Sequence, residues 1–165
     1  MRVLMLGGGC RGLSLTRVLV ADGHAVRLVT RTEARREEIE AAGAECFIGD
    51  PDIVGTLRYA LDNVTVLLHL LATASGPAEK VEALHGSRLR MLLEKSTDTT
   101  VRGVVYEPAG GESELARARE LNELPYELLT ADPADREAWL PAAHTAIRAV
   151  LDAPRGGLHS HTRPT

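Results

Sequence analysis

Cysteine is scarce in this chain, and the two present, Cys10 and Cys46, are far apart. No disulfide framework can be built from them, and a reducing, cytoplasmic setting fits that usage. Long apolar runs are missing as well. The N-terminal run breaks at Gly7 and the run from Val64 to Ala74 contains His69, so neither has the length of a secretory core or a membrane span. Nor is there a basic stretch: 19 Lys+Arg face 23 Asp+Glu, and the cations are dispersed among acids, which argues against nucleic acid as a partner. C-x-x-C, H-E-x-x-H and G-x-S-x-G are all absent, leaving metal and acyl-transfer chemistry without support and no metal site to name. Lysine occurs only at Lys80 and Lys95. Internal repeats and linkers are not apparent.

What is present is a 165-residue chain, 44% apolar and 25% charged, of a length suited to one domain. Its most informative stretch is VLMLGGGCRG, Val3 to Gly12. A short apolar run enters three glycines, and Leu13, Leu15, Val18 and Leu19 follow at helical spacing. Gly7, Gly9 and Gly12 satisfy G-x-G-x-x-G, whose glycines permit a tight turn, close approach of a pyrophosphate to the backbone, and close helix-to-strand packing. The following helix offers an anion its unpaired N–H groups and the positive end of its dipole. Cys10 and Arg11 lie inside this turn, Arg11 where an anion would sit.

Further strands are predicted at Ala25–Val29, Glu45–Ile48, Val64–Leu71, Val101–Tyr106 and Tyr126–Leu129. Helices are predicted over Gly12–Ala21, Thr32–Ala42, Ile53–Leu61, Ala78–Lys95 with a possible division at Gly86, Ser113–Leu124 and Pro133–Leu151. Six alternations of strand and helix imply an α/β fold: one doubly wound parallel-sheet Rossmann domain over residues 1–155, of strand order 3-2-1-4-5-6. Residues 156–165 read as a flexible tail, and its His159 and His161 as solvated rather than metal-binding.

At the end of the second strand an NAD site would place Asp or Glu against the ribose 2′-hydroxyl. Thr30 and Arg31 stand there instead. A guanidinium binds a 2′-phosphate that a carboxylate would repel, so NADP is preferred to NAD. Arg35 and Arg36 read as the solvated face of a charged helix, balanced by Glu33, Glu37 and Glu38.

The succession LGGGCRG, a strand ending in TR, the turn IGDPD, and VTVLLHLLA resembles the short-chain dehydrogenase/reductase superfamily, in its extended and atypical, epimerase-like or NmrA-like branch. The resemblance covers the first half to two-thirds of the chain. It implies that Asp50, with Pro51 beside it, contacts adenine, and that Leu70, Leu71 and Ala72 line the ribose and nicotinamide side of the cofactor. It also implies a catalytic Tyr-x-x-x-Lys, which this chain lacks: Tyr59, Tyr106 and Tyr126 are followed four residues on by Asn63, Gly110 and Thr130. Tyr106 and Glu107, at the end of the fifth strand, are the substitute candidates for proton transfer, set against a plain packing role for the ring and a loop role for the acid. His69 reads as a hydrogen-bonded core histidine. Two functions compete: an NADP-binding sensor or regulatory module acting through a protein partner, and a small atypical NADP-dependent oxidoreductase or epimerase-like enzyme. A homodimer is compatible with either, although no sequence feature locates its face.

Overall fold

The computed structural model describes residues 1–154; the expected tail and its two histidines lie outside the described residues. Six strands, β1 (Arg2–Gly7), β2 (Ala25–Thr30), β3 (Glu45–Ile48), β4 (Val66–Leu70), β5 (Gly103–Tyr106) and β6 (Tyr126–Leu128), form one parallel sheet of order β3-β2-β1-β4-β5-β6. This is the doubly wound order expected from the sequence. Strand alternation sorts the side chains: Val3 and Met5 of β1 join one core with Leu68 of β4, while Leu4 and Leu6 join the other with Leu67. Both faces are therefore covered, which is why β4 is buried at every position.

On the first face lie α1 (Gly9–Ala21), α2 (Arg36–Ala41) and α6 (Arg136–Asp152), contributing Leu15, Leu19, Ile39, Trp139 and Ile147. The second face is covered by α4 (Ser87–Thr97), α5 (Glu112–Asn122) and 3₁₀ turns at Val54–Leu57 and Tyr59–Leu61. A short helix, α3 (Ala78–Leu84), precedes α4 and is separated from it by Gly86, as anticipated.

The helix expected over Thr32–Ala42 opens with a 3₁₀ turn at Glu33–Arg35, and three further expectations are revised. The helix expected over Ile53–Leu61 is a pair of 3₁₀ turns, because Gly55 weakens an α-helix there and Thr56 bonds back, its hydroxyl donating to the carbonyls of Ile53 at 2.7 Å and Asp50 at 3.1 Å. The first helix begins at Gly9 rather than Gly12, bringing Cys10 and Arg11 into its first turn. The last begins at Arg136 rather than Pro133, where the Asp135 carboxylate caps Ala138 N–H at 3.2 Å.

One buried cation sits in the sheet itself. Arg27 of β2 donates to the carbonyls of Ala60 at 2.6 Å and Asp62 at 3.0 Å and to Glu45 at 3.0 Å, pinning the 3₁₀ turns to the strand ends opposite the glycine turn. A charge is tolerated there because its N–H groups are paired.

Candidate functional site

At the carboxyl ends of the strands, β1 and β4 diverge into opposite connections, the place where open α/β sheets form a crevice. A cavity of about 590 Å³ opens there, within the range of small-molecule and cofactor sites. Gly7, Gly8 and Gly9 form its floor, Thr30 and Arg31 one side, Asp50 and Pro51 the next, and Leu70 and Leu71 the other. These sequence candidates come from four separate strand ends and are brought together on one surface. The far wall was not foreseen: Thr73, Pro77, Lys80, Val81 and Leu84 belong to the β4 exit and α3, which carry no motif.

The turn depends on glycine for two separate reasons. Gly7, Gly8 and Gly9 have φ of 76°, 92° and 51°, a left-handed run that side chains disfavour. A Cβ on Gly7 would also lie 2.6 Å from the Leu70 carbonyl oxygen, and one on Gly8 2.9 Å from Gly12 Cα. Gly8 falls at an unspecified position of G-x-G-x-x-G, so the pattern alone does not reveal its importance. Gly8 N–H donates to Leu70 O at 2.9 Å and Gly12 N–H to Gly8 O at 2.9 Å, joining β1, α1 and β4 into one lip. The N–H groups of the first turn of α1 beyond it have no intrahelical acceptor.

The remaining candidates differ in placement. Arg31 is exposed and has no ion-pair partner among the described residues, whereas Arg35 pairs with Glu38 at 2.6 Å and Arg36 with Glu33 at 2.5 Å. Asp50 keeps one carboxylate oxygen on Asp52 N–H at 2.9 Å, a turn bond that orders the loop without using the other oxygen. Cys10 is exposed in the first turn of α1, Gly12 is buried beneath the turn, and Ala72 is half-buried; none of the three borders the cavity. Arg11 does not line the cavity. Its side chain folds inward and is buried against Glu107.

Neither substitute for the missing dyad opens onto the cavity. Tyr106 is fully buried, its hydroxyl bound to His85 Nδ1 at 2.6 Å and to Gly111 N–H at 2.9 Å. Glu107 is 1% exposed and accepts from Arg11 and from Trp139 Nε1, the latter at 2.8 Å. His69 is buried as expected, but its Nδ1 has no hydrogen-bond partner among the described residues; its ring packs against those of His85 and Tyr106, with centroids 5.3 and 5.2 Å away. Burial pushes its pKa down to about 3, so the ring is neutral. His85 and Trp139 were invisible as site neighbours because their partners are distant in sequence. Among the described residues, no group of three or more His, Cys, Asp or Glu is placed to hold a metal ion, and no helix is long and apolar enough to cross a membrane.

No family model matches the chain. A 4-hydroxy-2-methyl-3-oxo-4-farnesyl-3,4-dihydroquinoline-1-oxide ketoreductase from Stigmatella aurantiaca is 30% identical over 124 residues, 73% of this chain and 36% of that protein. UDP-glucuronic acid 4-epimerase from Bacillus cereus, solved with UDP-glucuronic acid and NAD, superposes with a TM-score of 0.61 at 14% identity, over 78% of this chain and 55% of that one. Triphenylmethane reductase from Citrobacter sp., solved with NADP(H), gives 0.60 at 17% identity, over 78% and 48%. The chain thus shares with these two solved proteins its fold, a Rossmann-like doubly wound parallel sheet. The chain spans about a third of the ketoreductase and about half of the two solved proteins.

Proposed function

We propose that this chain binds NADP(H) in the cavity at the glycine turn. The observation that carries the proposal is the joining, on one surface, of a turn where Gly7 and Gly8 leave no room for a Cβ and of Arg31, just past β2, which has no ion-pair partner among the described residues. The main chain of Gly7, Gly9, Cys10 and Arg11 would meet the pyrophosphate, with Gly12 allowing α1 to pack close beneath. Thr30 and Arg31 would take the 2′-phosphate, Asp50 and Pro51 the adenine, and Leu70 and Leu71 the ribose and nicotinamide side, with Ala72 outside the cavity. When bound, the nicotinamide supplies hydride chemistry; the protein supplies orientation and exclusion of water.

Of the two roles open to such a module, sensing or regulation through a partner agrees with the inward orientation of Tyr106 and Glu107, which leaves no acid directed at the cavity from β5. A reductase role is favoured by the resemblance to a ketoreductase. On that reading a substituted acid or groups of a partner subunit would complete the proton transfer. A cytoplasmic location belongs to the same proposal.

Calorimetric titration with NADPH, NADP+, NADH and NAD+ tests the binding. NADPH should bind most tightly; tighter NADH removes the argument from Arg31, and no binding by any of the four refutes the site. NADPH absorbance followed across a panel of carbonyl compounds then separates the roles, turnover favouring the reductase.

A further inference from the structure

A guanidinium in a glycine-rich turn is ordinarily read as an anion ligand, yet Arg11 has only 9% of its side chain exposed. Its five N–H groups face five internal acceptors. Nε donates to Glu107 Oε2 at 3.1 Å and Nη2 to Oε1 at 2.5 Å, a bidentate pair. Nη1 donates to Gly8 O and Thr73 Oγ1, each at 3.2 Å, and Nη2 also to Leu70 O at 3.4 Å. Gly8 belongs to the turn, whereas Leu70 and Thr73 belong to the adjoining wall of the cavity at the β4 exit. Behind them, Trp139 of α6 donates Nε1–H to Glu107 Oε2 at 2.8 Å, and its ring lies 5.5 Å from the Arg11 guanidinium carbon. One planar cation therefore joins the glycine floor of the cavity to its β4 wall, and an acid fixed from a third element holds that cation in place.

We propose that Arg11 is a positioning residue of the dinucleotide site: through Gly8, Leu70 and Thr73 it sets the glycine turn against the β4 exit, so that the pyrophosphate is held by main-chain N–H groups alone. Glu107 and Trp139 set the rotamer of Arg11 and act through it. The proposal rests on the reading of the cavity as a dinucleotide site. Lysine cannot replace the fork, since a single ammonium has three donors, no plane, and no bidentate match to a carboxylate. A bulk packing role would be blind to which part of the ligand is present; a role in setting the turn is not.

The experiment compares NADPH with adenosine 2′-monophosphate, which carries the adenine and 2′-phosphate but no pyrophosphate, on the full chain and on Arg11→Lys. The Kd for NADPH should rise about tenfold or more, the scale of losing hydrogen bonds to a charged group. That for the monophosphate should stay within about twofold. Equal weakening of both ligands, or no weakening of either, overturns the positioning role. If Arg11→Lys does not fold, Trp139→Phe decides: it replaces the indole by a smaller phenyl ring that has no N–H for Glu107, and it should weaken NADPH about threefold while leaving the monophosphate unchanged. Unchanged NADPH affinity in Trp139→Phe then overturns the proposal. An unaltered chain that binds neither ligand refutes the dinucleotide reading, and the positioning role with it; an unaltered chain that binds both while the variants match it refutes the positioning role alone.

Discussion

The Tyr106 hydroxyl and the His85 ring are bound to one another, Oη to Nδ1, at 2.6 Å. On its other side, His85 Nε2 lies 3.1 Å from the Leu71 carbonyl, which can only accept. The geometry therefore assigns the ring proton to Nε2 and makes Nδ1 the acceptor of the phenol. Gly111 N–H at 2.9 Å and Ala109 N–H at 3.3 Å donate to the same phenolic oxygen. Burial raises the phenol's pKa and lowers that of the imidazole, so both groups are neutral at pH 7.

Tyr106→Phe should accordingly act on stability rather than on the ligand. Gly111 N–H and His85 Nδ1 would lose their partner, costing about 1–3 kcal/mol, read from urea denaturation. NADPH affinity should stay within about twofold. A loss of affinity well beyond that would place the phenol in the site.

Arg31→Asp tests the choice of cofactor. Removing a guanidinium from a 2′-phosphate and substituting a carboxylate should weaken NADPH by about ten- to a hundredfold, on the scale of charge-assisted hydrogen bonds. NADH, with a hydroxyl at that place, should bind as before or more tightly. Calorimetry in parallel on both nucleotides checks this; equal losses would count against a phosphate contact at Arg31.

Gly8→Ala should be among the costliest small substitutions in the chain. It combines a φ of 92° with a Cβ 2.9 Å from Gly12 Cα, so a destabilisation of about 1–3 kcal/mol or more is expected together with loss of NADPH binding. Gly55→Ala is the control, since nothing lies within 4 Å of its Cβ position. Thermal melts of the two should differ clearly, with the control close to the unsubstituted chain.

Glu107→Gln leaves Arg11 charged and buried beside a neutral amide. Breaking a buried pair by removing one charge costs about 3–5 kcal/mol, measurable as a fall in the denaturation midpoint. Replacing Arg11 and Glu107 together by methionine should cost less than Glu107→Gln, because no unpaired charge is then left in the interior.

Stability should fall as the solution is acidified below the ordinary histidine range. His69 titrates near 3 in the folded chain against 6.5 for the free group, and His85 is also lowered, both by burial first. Between those values the unfolded chain binds more protons than the folded one, so unfolding free energy rises with pH there, by about 1.4 kcal/mol per pH unit for each proton of difference. His69→Phe should flatten the slope between pH 6.5 and 5 in denaturant titrations. A slope equal to that of the unsubstituted chain would mean that His69 does not contribute.

Much of this architecture was legible in advance. The six alternations of strand and helix predicted the parallel sheet and its order, and the glycine spacing and Thr30–Arg31 named residues that line one cavity. What escaped prediction depended on direction and on long-range partners. Arg11 occupies the position of an anion ligand, but Glu107, 96 residues away, draws its guanidinium inward. The 3₁₀ turns replaced a helix because spacing of Ile53, Val54, Leu57 and Leu61 reports a buried face without distinguishing a full α-helix from two tight turns. The α3 wall had no motif to announce it, as its helix buries no residue.

The strand order carries a temporal consequence. β1 pairs with β2 some twenty residues on, from Arg2↔Ala25 to Leu6↔Val29, but its other neighbour is β4, with Gly7 opposite Leu70. One side of the glycine turn can therefore form from local chain, while the other waits for closure of a loop three times longer. Among the features of this fold, the lip between Gly8 and Leu70 should mature late, and recovery of nucleotide binding after dilution from denaturant should trail the recovery of helical signal.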